Sequence, residues 1–261
     1  MLTGIALVGF PHHLQASIAF ALGATRRKML DIVFPWECLA CHGLASSVLC
    51  GACLGRVRWI AGSLCKSCGL PLASSLPCLC GRCALRPPAF SRARAIACYR
   101  ASDEDADPLG ACIRALKYGG RRSLAAPLAE ILADRFPFDP AEFDLLIPVP
   151  LHLERLRFRG FNQARLLALG LARRFGLSIV DQALERSRAT LSQVRLSESE
   201  RRRNLRGAFV VRRPAHIRGR RILLVDDVTT TTATVDSCAR ALRTAGARSV
   251  DVLALARTLL H

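Results

Sequence analysis

Two adjacent carboxylates, Asp226 and Asp227, close an apolar run that begins at Ile222 and lead into Thr229-Thr-Thr-Thr-Ala-Thr234. The apolar run reads as a buried strand and Val235 to Ala245 as a helix. In open α/β sheets, ligands sit at the carboxyl ends of strands, and phosphates sit at helix N-termini. The acid pair can therefore hold the diol of a ribose or a metal ion. The hydroxyls and N–H groups of Thr230, Thr231, Thr232, Ala233 and Thr234 can hold a phosphate. The plainer alternative is a buried strand with two capping Asp residues.

A second anion-binding stretch follows another apolar run, Asp144-Leu-Leu-Ile-Pro-Val-Pro150. Pro150, Leu151 and His152 lead into a segment carrying Arg155, Arg157 and Arg159. Guanidinium forks pair with phosphate oxygens two at a time. An extended backbone would put all three on one side, whereas a helix would spread them around it. A solvated basic loop is the alternative. Lys117, ahead of Tyr118-Gly-Gly120, can also reach an anion. Asn162 can assist at the start of the next helix, and Gln193 and Asn204 are polar candidates for an acceptor or for loop backbone.

Nine of the twelve cysteines lie between Cys38 and Cys83. Eight of these form four knuckles, Cys38/Cys41, Cys50/Cys53, Cys65/Cys68 and Cys80/Cys83, with Cys78 left over. Each knuckle offers two thiolates on a tight turn, so four suit two structural zinc ions. The simplest pairing joins the first two knuckles and the last two. Cys78 can replace Cys80, and His42 is a spare ligand. A disulfide framework would need an oxidising compartment, and no convincing export signal is present.

These groups need a scaffold. Ala93 to Tyr99 alternates like a strand, and Leu109 to Lys117 reads as a short helix ended by Gly119-Gly120. Ser123 is placed to cap a helix running to Asp134. Asn162 to Phe175 has a helical core pattern, Ser197-x-x-Glu200 is a capping box, and Ser249 to Leu255 alternates. Strands alternating with helices predict an α/β fold, a parallel sheet with helices on both faces, preceded by a small Cys-rich zinc-ribbon module. The expected division is an N-terminal extension over 1–28, a ribbon module over 29–88 and an α/β domain over 89–261, with Pro87-Pro88 at the boundary. Met29 would be a natural start for the ribbon module. The apolar runs before it are shorter than the roughly 18–20 residues of a membrane span, so no span is expected.

An apolar fraction of 51% excludes global disorder. The formal charge of +18 and the basic cluster Arg201, Arg202 and Arg203 attract polyanions such as nucleic acid or phosphorylated metabolites.

The segment from Val225 to Thr234 resembles the motif that binds 5-phosphoribosyl-1-pyrophosphate (PRPP) in type I phosphoribosyltransferases. The family usually has Gly where Thr232 stands, and a β-branched residue at positive φ there would be strained. Ala115-Leu-Lys-Tyr-Gly-Gly120, Ile147-Pro-Val-Pro150, Arg157-Phe-Arg-Gly-Phe-Asn-Gln163 and Val225-Asp-Asp-Val228 follow the Cys knuckles in order. Between the last two stands Gln193-x2-Leu196-x5-Arg202-x-Asn204-x3-Ala208-Phe209. Together they resemble the competence protein F (ComF) family from about Met29 to Leu255. The resemblance implies a double zinc ribbon and a type I phosphoribosyltransferase-like domain. It also implies a PRPP-type ligand with Mg²⁺, zinc in the ribbons, a cytoplasmic location and a role in DNA uptake and transformation. Single-stranded DNA and a helicase-like ATPase are its implied partners. Glycosyl transfer from PRPP is one expectation; a non-catalytic protein binding phosphoribosyl ligands or single-stranded DNA is the other.

Overall fold

A computed structural model describes residues 36–73, 78–99, 107–187 and 207–258. The anticipated extension over 1–28, the capping box Ser197–Glu200, Gln193, Asn204 and the cluster Arg201 to Arg203 lie outside the described residues.

The first ribbon comprises β1 (Trp36–Glu37), β2 (Leu44–Ala45) and α1 (Gly51–Gly55), and the second ends in α2 (Gly81–Leu85). Then come β3 (Ala93–Tyr99), α3 (Pro108–Tyr118), α4 (Ala125–Asp134), β4 (Leu145–Pro148), α5 (Leu153–Arg159), α6 (Gln163–Phe175) and β5 (Ser178–Ile179). A hairpin of β6 (Leu184–Arg186) and β7 (Phe209–Val211) precedes α7 (Pro214–Ile217), β8 (Arg221–Thr229), α8 (Ala233–Thr244) and β9 (Ser249–Thr258). The five-stranded sheet has the order β3-β9-β8-β4-β5, and every neighbouring pair is parallel.

Local chemistry sets the helix limits. Asp107 caps α3 by accepting the Gly110 N–H at 2.9 Å, with Pro108 in the first turn. Asn162 caps α6, which ends at Gly176 with φ 67°. The expected cap at Ser123 is not formed: Ser123 lies inside a 3₁₀ turn, Arg122–Leu124, and α4 starts after it without a side-chain cap.

Period-two alternation sorts the strand residues onto two faces. Leu146, Leu223, Val225, Leu253 and Leu255 face α3, α4 and α6, together with Cys38, Val48, Leu49 and Cys53 of the first ribbon. Ile147, Ile222, Leu224, Val250 and Val252 face α8, the β6–β7 hairpin and all four cysteines of the second ribbon. Each ribbon thus contributes to one core. Between them the chain also covers the edge of β3: Ile60 N–H donates to Ile96 O at 2.9 Å, and Cys98 N–H to Arg58 O at 2.9 Å. This removes an exposed edge strand. Among the described residues, no helix is long and apolar enough to cross a membrane.

Helices α4 and α6 cross closely at Gly170, where an added Cβ would collide with the Cβ of Ala129. Gly170→Ala should therefore destabilise the protein by about 1–3 kcal/mol, the range for overpacking, despite alanine's better helix propensity. Adding Ala129→Gly should restore part of the loss. Denaturant melts of the single and double variants check this; a stabilised Gly170→Ala protein would show that the crossing is loose.

Candidate functional site

A cavity of about 190 Å³ opens where β4 and β8 end. Asp226 and Asp227 form part of its wall, and both are oriented by short backbone bonds. The Asp227 N–H donates to Asp226 Oδ1 at 2.9 Å, and the Val228 N–H donates to Asp227 Oδ1 at 2.7 Å. Lys117, at the end of α3, sets its Nζ 3.1 Å from Asp227 Oδ2. Burial, and then the charge of Asp227, raise the pKa of Asp226, while Lys117 opposes the rise. Two carboxylates this close gain from a cation or from hydroxyl donors, so the pair suits a diol or a hydrated metal ion.

The loop after β8 supplies the opposite polarity. Thr230, Thr232, Ala233 and Thr234 line the cavity, whereas Thr231 is buried outside its wall. Thr232 has φ 62° and ψ 5°, so the residue standing at the usual glycine position holds a left-handed conformation. Its hydroxyl donates to Thr231 O at 2.6 Å. The first helical bond of α8 runs from Asp236 N–H to Thr232 O at 2.9 Å. The N–H groups of Ala233, Thr234 and Val235 are therefore free of intrahelical acceptors, and all three residues border the cavity.

Of the two conformations open to the second basic stretch, the chain adopts the helical one. It is the helix α5, none of whose residues is buried. Arg155 and Arg159, four apart, share the face that lines the cavity, and Arg157 is off that wall. Arg159 also donates to Gln163 Oε1 at 3.1 Å and lies 5.3 Å from the Tyr118 ring centroid. Pro150 and Leu151 line the cavity; His152 does not, and instead caps α5 by accepting the Glu154 N–H at 3.4 Å. Asn162 is tied to structure too, donating from Nδ2 to Val149 O at 2.9 Å.

Sequence reasoning missed Arg186. It projects from β6 into the cavity wall, is 9% exposed, and lies 5.7 Å from the Phe209 ring centroid. Burial, and then the charge of Arg155, lower its pKa. The available signal was alternation: Leu184 and Arg186 occupy the inward positions of one strand. A groove of about 690 Å³ shares Pro150, Leu151 and Arg186 with the cavity.

The cysteines form two quartets, Cys38/Cys41/Cys50/Cys53 and Cys65/Cys68/Cys80/Cys83, with the sulfur atoms in each within 4.8 Å of one another. The simplest pairing of knuckles is the one observed. Cys78 is exposed outside the quartets, and His42 binds Glu37 Oε1 at 2.6 Å. Backbone donors support the sulfurs: Cys80 N–H reaches Cys65 Sγ at 3.3 Å and Cys53 N–H reaches Cys50 Sγ at 3.5 Å. Burial opposes ionisation of Cys38, but backbone N–H groups led by that of Cys50 bring its pKa down to about 6. Burial and the neighbouring thiols push Cys53 up to about 12. One thiolate forms readily and the next is resisted, which is the charge problem that a divalent cation resolves. Both quartets fit structural zinc.

Residues 29–84 match the double zinc ribbon domain family, and residues 159–259 match the phosphoribosyl transferase domain family. The chain is 38% identical over 230 residues to the DNA utilization protein YhgH of Escherichia coli O157:H7, covering 86% of this chain and 96% of that protein. It is 30% identical over 233 residues to competence protein F of Haemophilus influenzae, covering 86% and 98%. Among solved structures, a glutamine PRPP amidotransferase from B. subtilis aligns at 21% identity with a TM-score of 0.39, over 55% of this chain and 30% of that one. Fold and site together define a double zinc ribbon joined to a phosphoribosyltransferase-type domain. The chain belongs to the competence protein F family.

Purified reduced protein should contain close to two zinc ions per chain, one for each quartet. Cys80→Ser should lose one ion and lower the thermal midpoint of the whole protein, because the second quartet belongs to the core beneath α8. Cys78→Ser should change neither. Metal analysis and calorimetry check this; a zinc-free wild type would exclude the assignment.

Proposed function

We propose that the chain binds PRPP, or a related phosphoribosyl ligand, with Mg²⁺ in the cavity between β4 and β8, and that it acts in DNA uptake and use. One observation carries this reading: the acid pair, the open N-terminus of α8 and three guanidiniums line one cavity. In this assignment the first turn of α8, with Thr230 and Thr234, takes the 5′-phosphate. Asp226 and Asp227 take the ribose diol. Arg155, Arg159, Arg186 and Lys117 face the pyrophosphate, and Lys117 exchanges its bond to Asp227 for one to the ligand. Mg²⁺, when bound, would be held by Asp226 and Asp227 and would offset the charge of the pyrophosphate. Glycosyl transfer would form a bond from an acceptor atom to C1 as the C1–O bond breaks, its electron pair leaving with pyrophosphate. The adjoining groove has room for an acceptor.

A second reading, ligand binding without transfer, is favoured by Thr232. Its hydroxyl is committed to Thr231 O, and its side chain stands where the family usually has none. The relatives' names support the DNA context. Two thiolate quartets suit a reducing compartment, which supports a cytoplasmic place of action. The single-stranded DNA and helicase-like ATPase partners expected from the resemblance belong to this same proposal.

Calorimetric titration with PRPP and Mg²⁺ tests the assignment. Asp226→Asn with Asp227→Asn should weaken binding at least roughly tenfold, since hydrogen bonds to charged groups contribute about 1.5–3 kcal/mol each. Thr232→Gly should tighten binding and raise the thermal midpoint, because a left-handed non-glycine residue carries about 1–3 kcal/mol of strain. Pyrophosphate release that requires an acceptor identifies transfer; binding with no release under any acceptor selects the second reading. Failure of both wild type and Thr232→Gly to bind PRPP would end the ribosyl assignment.

A further inference from the structure

The pole of the sheet opposite the cavity carries its own charge pattern. Residues 214–221 contain three arginines and a histidine but no carboxylate, and residues 242–250 contain two arginines and no carboxylate. The fold clamps these two segments together. Gly219 N–H donates to Gly246 O at 2.8 Å, and Arg248 N–H donates to Arg220 O at 2.9 Å. Arg218, Arg220 and Arg248 are all exposed on this clamp, flanked by exposed His216 and Arg243.

The carboxylates at this pole are already engaged. Asp144 is forked by Arg221, with Oδ1 2.7 Å from Nη2. Asp251 and Glu142 are both held by Arg92. Among the described residues, none brings a carboxylate into ion-pair distance of Arg218, Arg220 or Arg248. Arg243 instead donates to the carbonyls of Ala247 and Arg248, which fixes the turn. The result is a rigid cluster of positive charge.

We propose that this surface binds the phosphodiester backbone of nucleic acid, independently of the ligand cavity. The chemistry separates the candidates. No exposed large apolar side chain among the described residues falls within 214–221 or 242–250. The surface therefore lacks both the aromatic platforms that stack unpaired bases and the apolar groups that enter a lipid interface. What it offers is guanidinium forks for phosphate oxygens, without base readout. β8 spans nine residues, at roughly 3.3 Å each, between this pole and the acid pair's end of the sheet. A strand bound here would leave the cavity open.

Fluorescence anisotropy with labelled random-sequence oligonucleotides, single-stranded and duplex, tests the surface over a salt series. Wild type should bind both at low salt, with affinity falling steeply as salt rises. The triple variant Arg218→Gln, Arg220→Gln, Arg248→Gln should weaken binding at least tenfold at low salt. Its salt slope should be shallower by about 0.9 for each duplex phosphate that the variant no longer neutralises. Replacing the same three residues with Lys should retain most of the binding, and Arg248→Glu alone should weaken it more than Arg248→Gln. Zinc content and PRPP titration should be unchanged in these variants, and Asp227→Asn should bind oligonucleotides normally. An unchanged slope in the triple Gln variant would overturn the proposal. So would sedimentation with phosphatidylserine vesicles in the absence of any oligonucleotide binding.

Discussion

Everything at the candidate site depends on one strand being buried on both faces. β8 lies between β9 and β4, and its apolar residues divide between two cores. That leaves no freedom of register, because a one-residue slip would exchange the faces of every side chain. The carboxyl end of β8 is therefore fixed, and Asp226 and Asp227 with it. The neighbouring β4 ends at the same pole because the pair is parallel. From there the chain diverges: α6, after β4, packs on one face, while α8, after β8, packs on the other. Diverging loops at a reversal of strand order leave a crevice. The cavity lies in that crevice.

The zinc ribbons are continuous with this arrangement. The first supplies Cys38 and Cys53 to the core under α3, the helix whose end presents Lys117 to Asp227. The second is held to the sheet by backbone and side chain alike. Ala93 N–H donates to Ser67 O at 2.6 Å, and Arg257 donates to Cys68 O at 2.5 Å. Gly69 is required there because a Cβ would run into the carbonyl of Ala93. Neither ribbon has enough apolar residues for a core of its own. Metal fixes their turns, and the sheet provides the rest of the burial.

Features set by local spacing were legible in the sequence. Cys-x2-Cys knuckles and a carboxylate pair after an apolar run depend on residues a few positions apart. What failed or stayed open depended on wider context. The spacing of Arg155, Arg157 and Arg159 left an extended loop and a helix both open, and His152 as cap with Gly160, at φ 74°, as terminator decides for the helix. Ser123 had the right chemistry for a cap, but the preceding glycines and a 3₁₀ turn displaced the helix start. Arg186 was invisible because its role arises from a hairpin folding over the end of a sheet made of distant residues.

Thr232 shows how local and global requirements compete at the site. Local preference sends a β-branched residue to negative φ. Two tertiary requirements oppose that preference. β8 must end just past the acid pair, at Thr229, and α8 must begin at Ala233 to bury Val235, Cys238, Ala239 and Leu242. A chain joining them so abruptly needs a left-handed residue, and Thr232 adopts that conformation although it is not glycine. The bond from its hydroxyl to Thr231 O and the 2.9 Å helical bond at its carbonyl offset part of the cost. The backbone path of the loop is thus set by the elements on either side rather than by the residue within it. That is why Ala233, Thr234 and Val235 still border the cavity with threonine in the glycine's place.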